Sequence, residues 1–168
     1  MKQLSNPTRT FRSETSRFFC LILIIGITAC GCKKEANVKQ TVAFQAEFET
    51  VSTIVQQGPP EIDQINGKGQ GTPMGKATFV ANAQFDANYN LTGTIVATTA
   101  DGDKILASIS AKTPPDIDTN GNITLHFNAT ITGGEGKFAK ATGSFTGTAH
   151  ESIYNTNGAA SWDGTITY

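Results

Sequence analysis

The chain has 168 residues, 13 basic and 14 acidic side chains, a formal net charge of −1 and 38% hydrophobic residues. From Cys30 onward, 139 residues hold nine lysines, no arginine and 13 acidic side chains, a formal charge of −4. That length suits one ordinary domain with its own core, and the lack of arginine argues against nucleic-acid or phosphate recognition, which leans on the forked guanidinium.

The first 29 residues read as a targeting segment. Lys2, Arg9, Arg12 and Arg17 face a single acid, Glu14, ahead of an apolar run from Phe18 to Ile27. The run is about half of the roughly 20 apolar residues that a spanning helix needs. It leads into Ile27-Thr28-Ala29-Cys30, with a branched apolar residue three before the cysteine and a small one immediately before it. A positive segment, an apolar stretch and a small residue at the cut form the layout of a cleaved secretory signal. With cysteine after the cut, the segment resembles a bacterial lipoprotein signal. The resemblance implies a chain that begins at Cys30, carries lipid such as palmitate there, and works in the cell envelope outside the cytoplasm. In a Gram-negative source that means the outer membrane or the cell surface. Plain secretion and a retained anchor are the competing readings.

Cys20 would leave with the signal and Cys30 would take the lipid, so Cys32 remains as one thiol. One thiol makes no internal disulfide. Residues 30–40 then form a lipidated polar tether with Lys33, Lys34 and Glu35. Ten extended residues reach at most about 33–36 Å, enough to lift a domain clear of a membrane surface.

From Thr41 the period is two, and residues 41–168 read as one β-barrel domain. Val42, Phe44, Ala46 and Phe48 alternate with Ala43, Gln45, Glu47 and Glu49. Phe79, Ala81, Ala83 and Phe85 form a second apolar face, and Leu91, Gly93, Ile95 and Ala97 a third. Ile105, Ala107 and Ile109 make a fourth, and Ile123, Leu125, Phe127, Ala129 and Ile131 the clearest of all. Further runs cover Ser144 to Ser152 and Trp162 to Tyr168. Strict alternation predicts antiparallel strands with one dry and one wet face. Turns are expected at Asp101-Gly102-Asp103, Thr119-Asn120-Gly121-Asn122 and Asn157-Gly158. Pro59-Pro60 and Pro114-Pro115 fall between runs. Residues 57–73, with four glycines, read as the longest loop. The expected fold is all-β, an up-and-down antiparallel barrel of about eight strands, with a β-sandwich as the alternative. Small inward residues such as Ala46, Ala81, Ala83, Gly93 and Ala97 favour the tightly curved wall.

The stretch Ile131-Thr132-Gly133-Gly134-Glu135-Gly136-Lys137-Phe138-Ala139-Lys140-Ala141-Thr142-Gly143 resembles the GGTGRF-x-x-A-x-G signature of a family of secreted bacterial proteins. Plant dirigent proteins and, more loosely, allene oxide cyclases share that signature. Gly75-Lys76-Ala77-Thr78-Phe79 and Thr99-Ala100-Asp101-Gly102-Asp103 resemble two further elements of the bacterial group, in the same order. The resemblance implies an eight-stranded antiparallel barrel of the allene-oxide-cyclase-like type. It puts functional residues of the enzymes inside the barrel, at positions with no match here. In the signature itself the glycines permit positive φ, and Phe138 is expected to close one end of the barrel like a plug.

Other motifs carry less. Gly67-Lys68-Gly69-Gln70-Gly71, Gly75-Lys76 and Gly136-Lys137 lack the spacing and the hydroxyl of nucleotide-binding loops. His126 and His150 alternate onto the wet face without cysteine partners, so zinc has little support. Asp116, Asp118 and Asn120 copy the first ligands of a calcium loop, with Gly121 at the turn, but Phe127 stands where the bidentate Glu belongs. Calcium is therefore a weak candidate cofactor.

The leading functional expectation is a binding module that holds a small apolar ligand among Phe44, Phe48, Phe79, Phe85 and Phe127. The same rings could instead simply fill the interior as core. The inward polar residues in this reading are only Thr50, Ser52 and Tyr168, which sets catalysis behind binding. A cyclase or dirigent-like guide is the enzymatic alternative. A structural or surface-interaction lipoprotein is the third reading. The membrane, through the lipid, is the expected partner.

Overall fold

A computed structural model describes residues 39–168. The signal, Cys30 and the tether up to residue 38 lie outside the described residues. The strands are β1 (Thr41–Gln56), β2 (Glu61–Thr72), β3 (Gly75–Phe85), β4 (Leu91–Thr99) and β5 (Lys104–Ala111). A two-residue β6 (Asp116–Ile117) precedes β7 (Asn122–Glu135), β8 (Thr142–Ser152) and β9 (Asn155–Thr167).

Consecutive long strands pair antiparallel, β5 pairs with β7, and β1 pairs with β9 from Thr41↔Thr167 to Val51↔Asn157. The result is a closed eight-stranded barrel, with β6 as an extra strand on β7. Closure leaves the eight long strands with no unpaired edge to recruit a foreign strand, and only the two-residue β6 keeps a free side. The alternation read from the sequence holds in all five apolar faces: Phe44, Phe79, Ile95, Ile105 and Ile131 all lie inside and are at most 4% exposed.

Two sequence expectations are overturned. Residues 57–73 are not a long loop, because β2 occupies most of them and joins β1 to β3. Its inward positions hold Gly67, Gly69 and Gly71 instead of apolar side chains, so no hydrophobic alternation is visible. The reason is close approach. A Cβ on Gly67 would strike the ring of Phe79, and one on Gly69 would strike the Glu47 carbonyl. Asn157-Gly158 is likewise not a turn but part of β9, opposite Val51 and Thr50. The chain reverses instead at Ile153-Tyr154.

One end of the barrel is solid. There the 3₁₀ turn Gly136–Phe138 puts Phe138 into the opening, fully buried and edge-on to Tyr168 with ring centroids 4.9 Å apart. Asp103 accepts a hydrogen bond from the Lys137 N–H at 3.1 Å, and the Ala100 N–H donates to the Lys76 carbonyl at 3.0 Å. The three sequence elements that carry the family resemblance therefore meet at this closed end. Their work there is structural. Both described termini lie here too, tied by Gln40–Tyr168 backbone bonds of 3.0 and 3.1 Å.

Phe138→Ala leaves a cavity that the rigid turn cannot collapse into, so we expect a loss of about 3–5 kcal/mol of unfolding free energy. Urea denaturation measures it. A loss below about 1 kcal/mol would show that the ring is no plug.

Candidate functional site

The indole of Trp162 divides the interior. Its ring centroid lies 4.5 Å from Phe48, 5.0 Å from Phe79 and Phe145, and 6.0 Å from Phe44. Rings at these spacings and tilts are in favourable aromatic contact. Between this layer and Phe138 the barrel is filled. On the other side a cavity of about 460 Å³ opens toward the β1–β2, β3–β4, β5–β7 and β8–β9 connections.

The cavity's walls differ. One side is apolar, with Phe85, Leu91, Ile95, Ile109, Leu125 and Phe127, and Pro114, Pro115 and Ile117 of the β5–β7 connection join the lining. The other side is acidic, with Thr50, Glu61, Asp63 and Glu151. Ser52 donates to Glu151 Oε1 at 2.7 Å. Gly158 stands against this wall, since a Cβ there would strike the His150 carbonyl at 2.5 Å and the Thr50 hydroxyl at 2.9 Å. Asp63 Oδ1 is buried and has no hydrogen-bond partner. Burial, and then the nearby charges of Glu61 and Glu151, push the Asp63 carboxyl up to about 6. Among the described residues the ion pairs are Lys104–Glu135 and Lys137–Asp103, so no cation pairs with the mouth carboxylates.

Of the aromatics expected to line a ligand site, Phe79, Phe85 and Phe127 face the cavity. Phe44 and Phe48 belong to the layer around Trp162. Sequence reasoning missed Glu61, Asp63, Glu151 and Trp162. The first two were hidden with β2. Their signal was the period-two series Glu61, Asp63, Ile65, Gly67, Gly69, Gly71, in which Ile65 is the one apolar side chain among acids and glycines.

The remaining candidates lie elsewhere. Asp118 caps the β6–β7 turn, accepting the Asn120 and Asn122 N–H groups on Oδ1 at 2.8 and 2.9 Å and Asn122 Nδ2 on Oδ2 at 2.8 Å. These bonds, led by the Asn122 side chain, hold its carboxyl below the usual range. Asp86 is engaged in the same way by Asn88 and Asn90. Asp116 and Asn120 are exposed beside that turn. His126 and His150 are exposed and face Thr148 and Thr124 across the β7–β8 pair. A more open depression of about 770 Å³ crosses the outer wall beside Glu47, Glu49, Lys68 and Lys76.

The solved structure of the pterocarpan synthase dirigent protein GePTS1 superimposes on this barrel with a TM-score of 0.51, covering 77% of this chain and 86% of that one. The chain has the dirigent barrel fold. At 9% identity the likeness is one of fold. No family model matches the chain, and no curated protein does.

Asp63 binds its proton more tightly in the folded barrel than in the unfolded chain, between its ordinary 3.8 and about 6. It therefore costs stability as pH rises through that window. Asp63→Asn should stabilise the barrel at pH 7.5, and the gain should vanish below about pH 4, as read from urea midpoints. An equal difference at both pH values would contradict the assignment.

Proposed function

We propose that this protein is a lipid-anchored envelope barrel that takes a small, largely apolar molecule into its open half. The observation that carries this reading is the cavity itself. It is a hollow of about 460 Å³, floored by Phe79 and Trp162, in a barrel whose other half is packed solid. A cavity of this size, lined mostly by apolar groups with a few convergent polar ones, is the usual form of a small-molecule site. Exposed apolar side chains cluster around the mouth, including Ile54, Val55, Tyr89, Ile117, Ile153 and Tyr154. They offer an apolar ligand a path from water into the lumen.

The anchor reading rests on Ile27-Thr28-Ala29-Cys30 and fits the polarity of the barrel. The described chain starts at the closed end, near Lys39, Lys76, Lys104, Lys137 and Lys140. Tethered there, the barrel would set a basic end toward anionic headgroups, where each lysine near the surface is worth about 1 kcal/mol. The mouth would then face away from the membrane.

A second reading is a guide protein that orients a reactive intermediate, as a dirigent-like barrel would. Asp63 favours it, since a lumen carboxyl that titrates near 6 can hold or give a proton close to neutral pH.

Native mass spectrometry of the protein purified from its own organism tests the binding reading. The wild type should carry a small molecule that Ala83→Trp, which fills the cavity, does not. An unliganded wild type, or a variant carrying the same mass, would defeat it. For the anchor, Cys30→Ala should move the protein from the membrane to the soluble fraction with the barrel still folded. A variant that stays in the membrane fraction overturns it.

A further inference from the structure

Two buried polar atoms beside the cavity lack a protein partner, and they are of opposite kind. At the mouth, Glu61, Asp63 and Glu151 are acceptors, and Asp63 Oδ1 is buried with nothing donating to it. At the floor, Trp162 is 3% exposed, lines the cavity and has an Nε1–H with no acceptor. Neither buried atom opens onto the cavity, so the groups within a ligand's reach are the carboxylates of the acidic wall, with which no lysine pairs among the described residues.

The long-range field points the same way. Glu61, Asp63, Asp86, Asp116, Asp118 and Glu151 sit at the mouth end, with Lys112 as the lysine nearby. At the closed end, lysines outnumber acids, and two of the acids there, Asp103 and Glu135, are already paired. A low-dielectric cleft lined by one sign of charge concentrates ions of the other.

We propose that the barrel's ligand is an amphiphilic amine: an apolar body seated between Phe79 and Phe127, and a protonated amine at the mouth among Glu61, Asp63 and Glu151. The proposal rests on the lumen-binding reading and narrows it to one ligand class. A neutral apolar molecule would leave three carboxylates facing one another. A carboxylate ligand would add a fourth negative charge and be repelled.

The single tryptophan of the chain provides a reporter with one signal. The full chain, ¹⁵N-labelled at tryptophan and reconstituted in zwitterionic nanodiscs, is titrated with 4-methoxyphenethylammonium. Two comparators follow: the neutral alcohol of the same skeleton and 4-methoxyphenylacetate. The indole resonance should shift with the ammonium and the alcohol, and the ammonium should bind at least tenfold more tightly. The acetate should bind most weakly. In a chain carrying Glu61→Gln, Asp63→Asn and Glu151→Gln, the alcohol should still bind while the tenfold preference disappears. Equal binding of ammonium and alcohol to the wild type overturns the amine assignment and leaves lumen binding standing. If no probe shifts the indole resonance, the lumen reading falls as well.

Discussion

The packing of one indole among four phenylalanine rings sets the layout of the whole molecule. Trp162 meets Phe44, Phe48, Phe79 and Phe145 near the middle of the barrel, and these rings together span its bore. An eight-stranded barrel is just wide enough either to be filled by side chains or to hold one small ligand. This barrel does both along its axis. Below the indole, large rings and Phe138 leave no space. Above it, the inward positions of β3 turn to Ala81 and Ala83, and the bore opens.

Such rings fit only because glycine stands against them. Gly67 lies against Phe79 and Gly147 against Phe127, each where a methyl group would strike the ring. An aromatic on one strand thus covers a glycine on its neighbour, and the wall can coil tightly at that point. The energetic consequence is local. The closed half combines ring packing with the backbone ladder, while the open half depends on the ladder and on the β5–β7 connection, whose Pro114, Pro115 and Ile117 line the cavity.

Much of this was legible in the amino-acid sequence, and the exceptions have one physical cause. Alternation of apolar and polar residues located β1, β3, β4, β5 and β7, because each has large side chains inside. The turns at Gly102 and Gly121 and the plug at Phe138 were readable from local chemistry. β2 was not, because its inner face carries glycines at one end and carboxylates at the other. Each departs from the hydrophobic pattern for its own reason, close packing in the first case and a polar mouth in the second. The site was therefore read as a set of phenylalanines. Its acidic wall stayed hidden in a segment that looked like a loop, and Trp162 stood out only as part of a terminal strand. The family-like signature marked the end of the barrel opposite the cavity.

The division of the barrel into a filled and a hollow half is tested most directly by crystallography of the protein under xenon pressure, since dry apolar cavities take up xenon. Xenon density should appear between Phe79, Ile95 and Phe127, on the mouth side of Trp162, with none between Trp162 and Phe138. Xenon below the indole, or a mouth half filled by the protein's own ordered side chains, would contradict the account.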